Sequence, residues 1–135
     1  MTTMPIKAAE QALDAAFAEA RRQAMKPLGV AVLDAGGHLV AFKREDGATM
    51  IRYDVAVAKA WTALALGAGS RGFQEMAEAR PHFANSLGAI TGGRMAPAAG
   101  GVLLLREGQV IGAVGVSGDT PDNDELAAAA GAAAL

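Results

Sequence analysis

No cysteine occurs in the 135 residues, which removes disulfides, thiolate metal sites and cysteine nucleophiles at once. Aromatic residues are scarce as well: one tryptophan, one tyrosine and four phenylalanines, 4% of the chain. A core without them is built from small side chains, so backbones must approach closely, and each buried residue contributes less than in a Leu/Phe core. Extra burial between subunits is therefore expected. An excess of positive charge is also missing: the formal net charge is −2 and the pI about 5.6. Nucleic-acid binding needs a basic stripe, so that class of partner is excluded. The start, MTTMPIKAAEQ, has no basic region followed by an apolar run, and no signal peptide is expected. The longest apolar stretch, 55–66, is interrupted by Lys59 and too short to span a bilayer. A cytoplasmic protein with no membrane attachment is the expectation.

What the chain does contain is alanine and glycine, which supply much of its 52% apolar content. Its length fits one domain, 1–135, with no repeat or linker dividing it. Residues 3–23 read as a helix capped by Thr3, with Pro5 in the first turn and Ile6, Leu13, Phe17 and Ala20 at helical spacing. LGVAVLD (28–34) and HLVAFKR (38–44) read as strands joined by the turn AGG. Residues 51–66 form a second helix with Val57, Trp61 and Leu64 on one face and Lys59, Val55 and Leu66 roughly opposite. Such a helix is buried on both faces, one against the sheet and the other against a helix or a second subunit.

A shorter helix is expected over 71–79, ended by Pro81 and followed by a Gly/Ala-rich loop, NSLGAITGGRMAPAAGG, holding one short strand. GVLLLRE and QVIGAVGVSG make a second hairpin, and a last helix starts at Pro121. This order lacks the strand–helix alternation of a doubly wound sheet. It reads as an α/β (α+β) domain, an antiparallel sheet with helices on both faces.

Four acidic residues crowd the stretch GVSGDTPDNDELA. Thr120 suits an N-cap and Pro121 the first helical position. Asp122, Asp124 and Glu125 then complement the positive end of the helix dipole, which leaves only Asp119 unexplained. An EF-hand needs a central glycine and a distant Glu that are absent here. GAGSRG (67–72) matches G-x-G-x-x-G but follows a helix, where the dinucleotide fingerprint follows a strand; Gly67 reads as a helix C-cap. Ser117 in GVSG lacks the second glycine spacing and the partners of a nucleophile elbow.

GAVGVSGDTPDNDELAAAAG resembles the C-terminal signature of the GlcG/HbpS family, a Gly-Val-Ser-Gly strand end followed by Asp-Glu and an Ala-x-Ala-Gly helix. VAVLDAGGHLVAFKREDGA resembles the family's first hairpin, and DVAVAKAWTAL its Lys-Ala-x-Thr-Ala helix at Lys59, Ala60, Thr62 and Ala63. TGGRMAPAAGGVLLL is similar to its Gly-rich approach to the third main strand. The resemblance implies a profilin-like three-layer α/β/α domain with a five-stranded antiparallel sheet, and homo-oligomers. It also implies haem binding or degradation, and kinship with the C-terminal domain of PduO-type adenosyltransferases. Other members belong to organic-acid catabolism.

The candidate site residues are weighed in that light. Haem iron takes a His, Cys, Met or Tyr ligand. His38, after the AGG turn, reads as a solvated turn residue; His82, in RPHFANS, is the better axial candidate, with Tyr53 and the methionines behind it. Arg94, alone in TGGRMAPAAGG, suits a carboxylate, either a haem propionate or a small organic acid. Lys59 is the only charge in an apolar helix stretch, open to a role as base or Schiff-base amine, or to pairing with Asp46 or Asp34. Thr62, one turn on, would share its pocket wall, and Ser117 is a further ligand-binding candidate. Three readings follow: a homo-oligomer binding haem or a related tetrapyrrole between subunits, a cofactor-free enzyme acting on a small carboxylic acid, or an accessory module without chemistry. None uses a metal ion outside haem.

Overall fold

Pro5 sets the entry to the first helix. In the computed structural model, which describes residues 3–135, Pro5 occupies the cap position of α1 (Ile6–Arg22) with extended backbone and no side-chain cap. Thr3, expected as the cap, does not serve as one, because the proline ring already holds the chain at the helix entrance. β1 (Gly29–Asp34) and β2 (Leu39–Arg44) form the expected hairpin. α2 (Ile51–Leu66) has the expected bounds and closes on Gly67 in the left-handed conformation, φ 72°.

α3 (Arg71–Ala79) is followed by a second helix, α4 (Pro81–Ile90), where a loop and a short strand were expected. Pro81 ends α3 but also sits at the first position of α4, where a missing N–H has no cost. β3 (Gly101–Arg106) and β4 (Gln109–Ser117) complete the sheet, and α5 (Pro121–Ala133) ends the fold. Among the described residues the sheet therefore has four strands, ordered β2-β1-β4-β3 and antiparallel throughout, instead of five. Thr120 caps α5 as expected, its hydroxyl accepting from the Asn123 N–H at 3.2 Å. No helix among the described residues is long and apolar enough to cross a membrane.

Side-chain alternation divides the two sheet faces. Val30 pairs with Val116 and Val32 with Val114, and this face meets α1 and α5 with Leu104 and Ile111. Burying each of these side chains stabilises the fold by about 1.5–3 kcal/mol. Ala8, Ala9, Ala12 and Ala16 of α1 share that core with Ala127 and Ala128 of α5, so the two helices lie close together. The opposite face holds Leu33 and Ala113, covered by Ala60 and Ala63 of α2.

On that second face glycines make a track for α2. Gly115 of β4 pairs across the sheet with Gly101 of β3. A Cβ on Gly115 would fall on the Ala56 carbonyl, and one on Gly101 would fall on the Lys59 carbonyl. On β1, a Cβ at Gly29 would stand 2.9 Å from the Arg52 Cβ. The helix crosses three strands, with its backbone against bare strand backbone at β3 and β4 and the Arg52 side-chain root against β1.

Asp119, unexplained by helix-start chemistry, ties the chain before β1 to the start of α5. One carboxylate oxygen accepts the Lys26 N–H at 2.8 Å, and the other accepts from Thr120 N and Asn123 Nδ2, both at 2.8 Å. These donors, the Lys26 amide foremost, hold its pKa below the usual carboxylate range. A depressed native pKa stabilises the fold above the unfolded carboxyl's pKa, and that stability is lost as pH falls through the native value. Asp119→Ala should cost about 1 kcal/mol at neutral pH. Urea unfolding of both proteins at stepwise lower pH checks it: the gap should close in acid, and a gap independent of pH would sink the assignment.

Candidate functional site

Two segments converge beside α2 and with it border an open cleft of about 400 Å³. The β1–β2 turn contributes Gly36, Gly37 and His38; α2 contributes Tyr53, Asp54, Val57, Ala58 and Trp61; the loop after α4 contributes Gly93 and Arg94. The volume falls within the range of small-molecule sites, with a mostly apolar helix wall and a few polar groups at the rim.

The turn is organised by Asp34 at the end of β1. Its Oδ1 accepts the N–H groups of Gly36 at 2.9 Å and His38 at 3.0 Å, and lies 3.3 Å from His38 Nδ1. The His38 amide is the main cause that lowers the Asp34 pKa. With Nδ1 turned to a carboxylate, Nε2 becomes the free ring nitrogen. The imidazole is 81% exposed, so that nitrogen is open to a ligand.

Opposite the turn, the Arg94 guanidinium carbon stands 4.4 Å from the centre of the Trp61 ring, and Arg94 Nε donates to the Thr91 carbonyl at 2.7 Å. Tyr53 is held edge-on by Phe42 of β2, ring centres 4.9 Å apart. No group of three or more His, Asp or Glu side chains able to hold a metal ion occurs among the described residues. The cleft offers an imidazole, a guanidinium, the Asp54 carboxylate and the Tyr53 side chain around the Trp61 ring.

The structure brings His38, Arg94 and the weaker candidate Tyr53 together and leaves Lys59, Thr62, Ser117 and His82 elsewhere. His82 lies on the exposed first turn of α4 and is not among the residues lining the cleft. Lys59 is buried, its Nζ 2.8 Å from Asp124 Oδ2, with the two side chains 3% and 2% exposed. The partner is neither Asp46 nor Asp34, because Lys59 lies over the start of β3 and reaches past Gly100 toward α5. Asp124 consequently does more than complement the helix dipole: its other oxygen accepts the Asp119 N–H at 2.9 Å. Thr62 is buried, donating to the Ala58 carbonyl and accepting the Ala96 N–H, so it forms no pocket wall. Ser117 is buried and accepts from Arg52 Nη1 at 2.8 Å.

Trp61, Asp54 and the Asp34 partner of His38 were not among the expected site residues. Their signal was present: Asp34 and His38 flank AGG at the four-residue spacing of a turn closed by an acidic side chain. A polar concavity of about 430 Å³ lies between Arg21, Arg44, Glu45 and Asp46. Glu45 there accepts from Leu28 N and pairs with Arg21, which ties α1 to the first hairpin.

A family of haem-degrading, HbpS-like proteins matches this chain over residues 4–133. The chain belongs to the HbpS-like family. Protein GlcG of Escherichia coli K12 is 35% identical over 112 residues, which cover 80% of this chain and 79% of GlcG. The crystal structure of HbpS superposes with a TM-score of 0.87 at 31% identity, covering 100% of this chain and 92% of that one. The structure of a PduOC:haem complex also reaches 0.87, at 26% identity over 98% and 95% of the two chains. The HbpS-like fold thus accounts for the whole described chain, and its mixed α/β architecture with an antiparallel sheet is the one described above.

Proposed function

We propose that this HbpS-like protein binds haem, or a related tetrapyrrole, in the Trp61 cleft, and that it does so as a homo-oligomer. The observation that carries this reading is the placement of His38 and Arg94 on one cleft walled by α2, with the His38 ring beside Asp34. A metal-ligating histidine almost always gives its other ring nitrogen to a carboxylate, a backbone carbonyl or water, and Asp34 stands in the first of these places. His38 would hold the iron through Nε2, Arg94 would pair with a propionate, and Val57, Ala58 and Trp61 would meet the ring. Bound haem supplies a redox-active iron. Asp34, beside Nδ1, would orient the imidazole, and the apolar side chains would exclude water from one ring face. The PduOC relative, solved as a haem complex, supports the same ligand class.

The cleft is open, and a flat ligand seated in it keeps one face uncovered. Met50 and Ile51, 82% and 51% exposed at the start of α2, adjoin it in sequence and suit the contact surface of a second subunit. The reading of a cofactor-free enzyme with Lys59 as acid or base has less support, since the Lys59 ammonium is held by Asp124 away from the cleft.

A haemin titration followed at the Soret band tests the proposal. Saturation at a fixed ratio of haem to subunit is expected, and His38→Ala should shift the band and weaken binding by at least about tenfold. His82→Ala should change neither. A broad rise that never saturates, or equal binding by the His38 variant, would reject the assignment.

A further inference from the structure

Arg94 presents one free edge. Its Nε is engaged by the Thr91 carbonyl and one face of its guanidinium lies over Trp61. Among the described residues no ion pair engages its two Nη groups, although Asp54 lines the same cleft. The ring beneath is itself fixed. Trp61 packs with Val57 and Leu64 around Leu33, Ala60 and Ala63, and a Cβ on Gly37 would stand 3.0 Å from its Nε1.

We propose that Trp61 is a positioning residue for Arg94, and that the pair makes the cleft selective for ligands that carry a carboxylate. A free arginine side chain loses much rotamer freedom when it clamps an anion. Here the indole face and the Thr91 carbonyl have already restricted it, and the two Nη groups remain as paired donors that match the two oxygens of a carboxylate. A lysine would not substitute, because an ammonium has no plane to stack and no fork. The inference rests on reading the cleft as a ligand site, but not on the ligand being haem.

Three probes separate these statements: haemin, haemin dimethyl ester, which keeps the iron and ring but has no free carboxylate, and benzoate. Haemin should bind about tenfold more tightly than its ester. Arg94→Gln should bring that ratio close to one, and so should Trp61→Leu. Trp61→Phe keeps an aromatic face and should hold the ratio within about threefold of the unmodified protein. The ratio is the informative readout, since general damage to the cleft weakens both porphyrins alike. An unchanged ratio in Trp61→Leu overturns the positioning role.

Benzoate is followed by fluorescence of Trp61, the chain's only tryptophan, and should saturate the unmodified protein but not Arg94→Gln. Haemin and ester bound equally well would overturn carboxylate selection while leaving haem binding in place. Saturation by benzoate alone would remove haem and support the selection. Saturation by neither would overturn both.

Discussion

Lys59→Met should destabilise the protein by about 3–5 kcal/mol, the cost of removing one partner of a buried ion pair. The ammonium and the Asp124 carboxylate are 2.8 Å apart with almost no exposed surface. Methionine fills the space of the lysine stem but leaves a buried carboxylate without its counter-charge. That residual charge, more than the loss of attraction, causes the destabilisation. Lys59→Met combined with Asp124→Leu should therefore recover most of the stability. Recovery should stop about 1 kcal/mol short, because Asp124 also accepts the Asp119 N–H and leucine leaves that donor unpaired. Urea unfolding midpoints of the two single variants and the double variant make the comparison. A loss below about 1 kcal/mol in Lys59→Met is the surface-pair result, and it would show that water reaches the site. A folded double variant that still binds haemin would assign the pair to architecture, whereas a folded variant that loses binding would return Lys59 to the site.

Gly115→Ala should cost about 3 kcal/mol, the upper end of what one added methyl group causes in a packed core. The new Cβ would meet the Ala56 carbonyl and come within 2.8 Å of Ala60 N. Both are backbone atoms inside a helix, so neither can rotate away. α2 would have to rise from the sheet and give up contacts with Leu33 and Ala113. Gly72→Ala is the matched control: it lies exposed in α3, has no positive φ, and its added Cβ meets nothing within 4 Å. There the same change should stabilise by about 0.5–1 kcal/mol, because alanine favours the helix and restricts the unfolded chain. Opposite signs in thermal melts are expected. Equal effects would mean that the close approach of α2 to β4 is not maintained in solution.

Local chemistry made most of the fold legible in the sequence. Both hairpins, the bounds of α2 and the cap of α5 follow from alternation, turn residues and a Thr-Pro start that act within a few residues. α4 was missed because Pro81 stops one helix and starts another, and glycine and serine inside NSLGAI lower helix propensity that tertiary context overrides. The fifth strand implied by the family resemblance fell in this same region.

The candidate site was less legible, since its groups come from three distant segments. Arg94 stood out as a lone cation in a Gly-rich loop, but nothing local told which histidine would join it. Trp61 shared a helix face with Val57 and Leu64 and read as ordinary core. Lys59 and Asp124 are 65 residues apart, and Asp124 already had a sufficient local explanation at the start of α5. A residue that satisfies a local rule hides its long-range partner.

The glycine track under α2 sorts that helix into two stripes with separate duties. Arg52, Ala56, Lys59 and Ala60 approach the sheet, where even one methyl group meets backbone. Tyr53, Asp54, Val57, Ala58 and Trp61 line the cleft, Val57 and Trp61 also packing against the cluster around Leu33. Asp54 and Ala58 can change without touching the sheet, whereas Val57 and Trp61 pack against the Leu33 cluster and Tyr53 against Phe42, so those three tie the cleft wall to the scaffold.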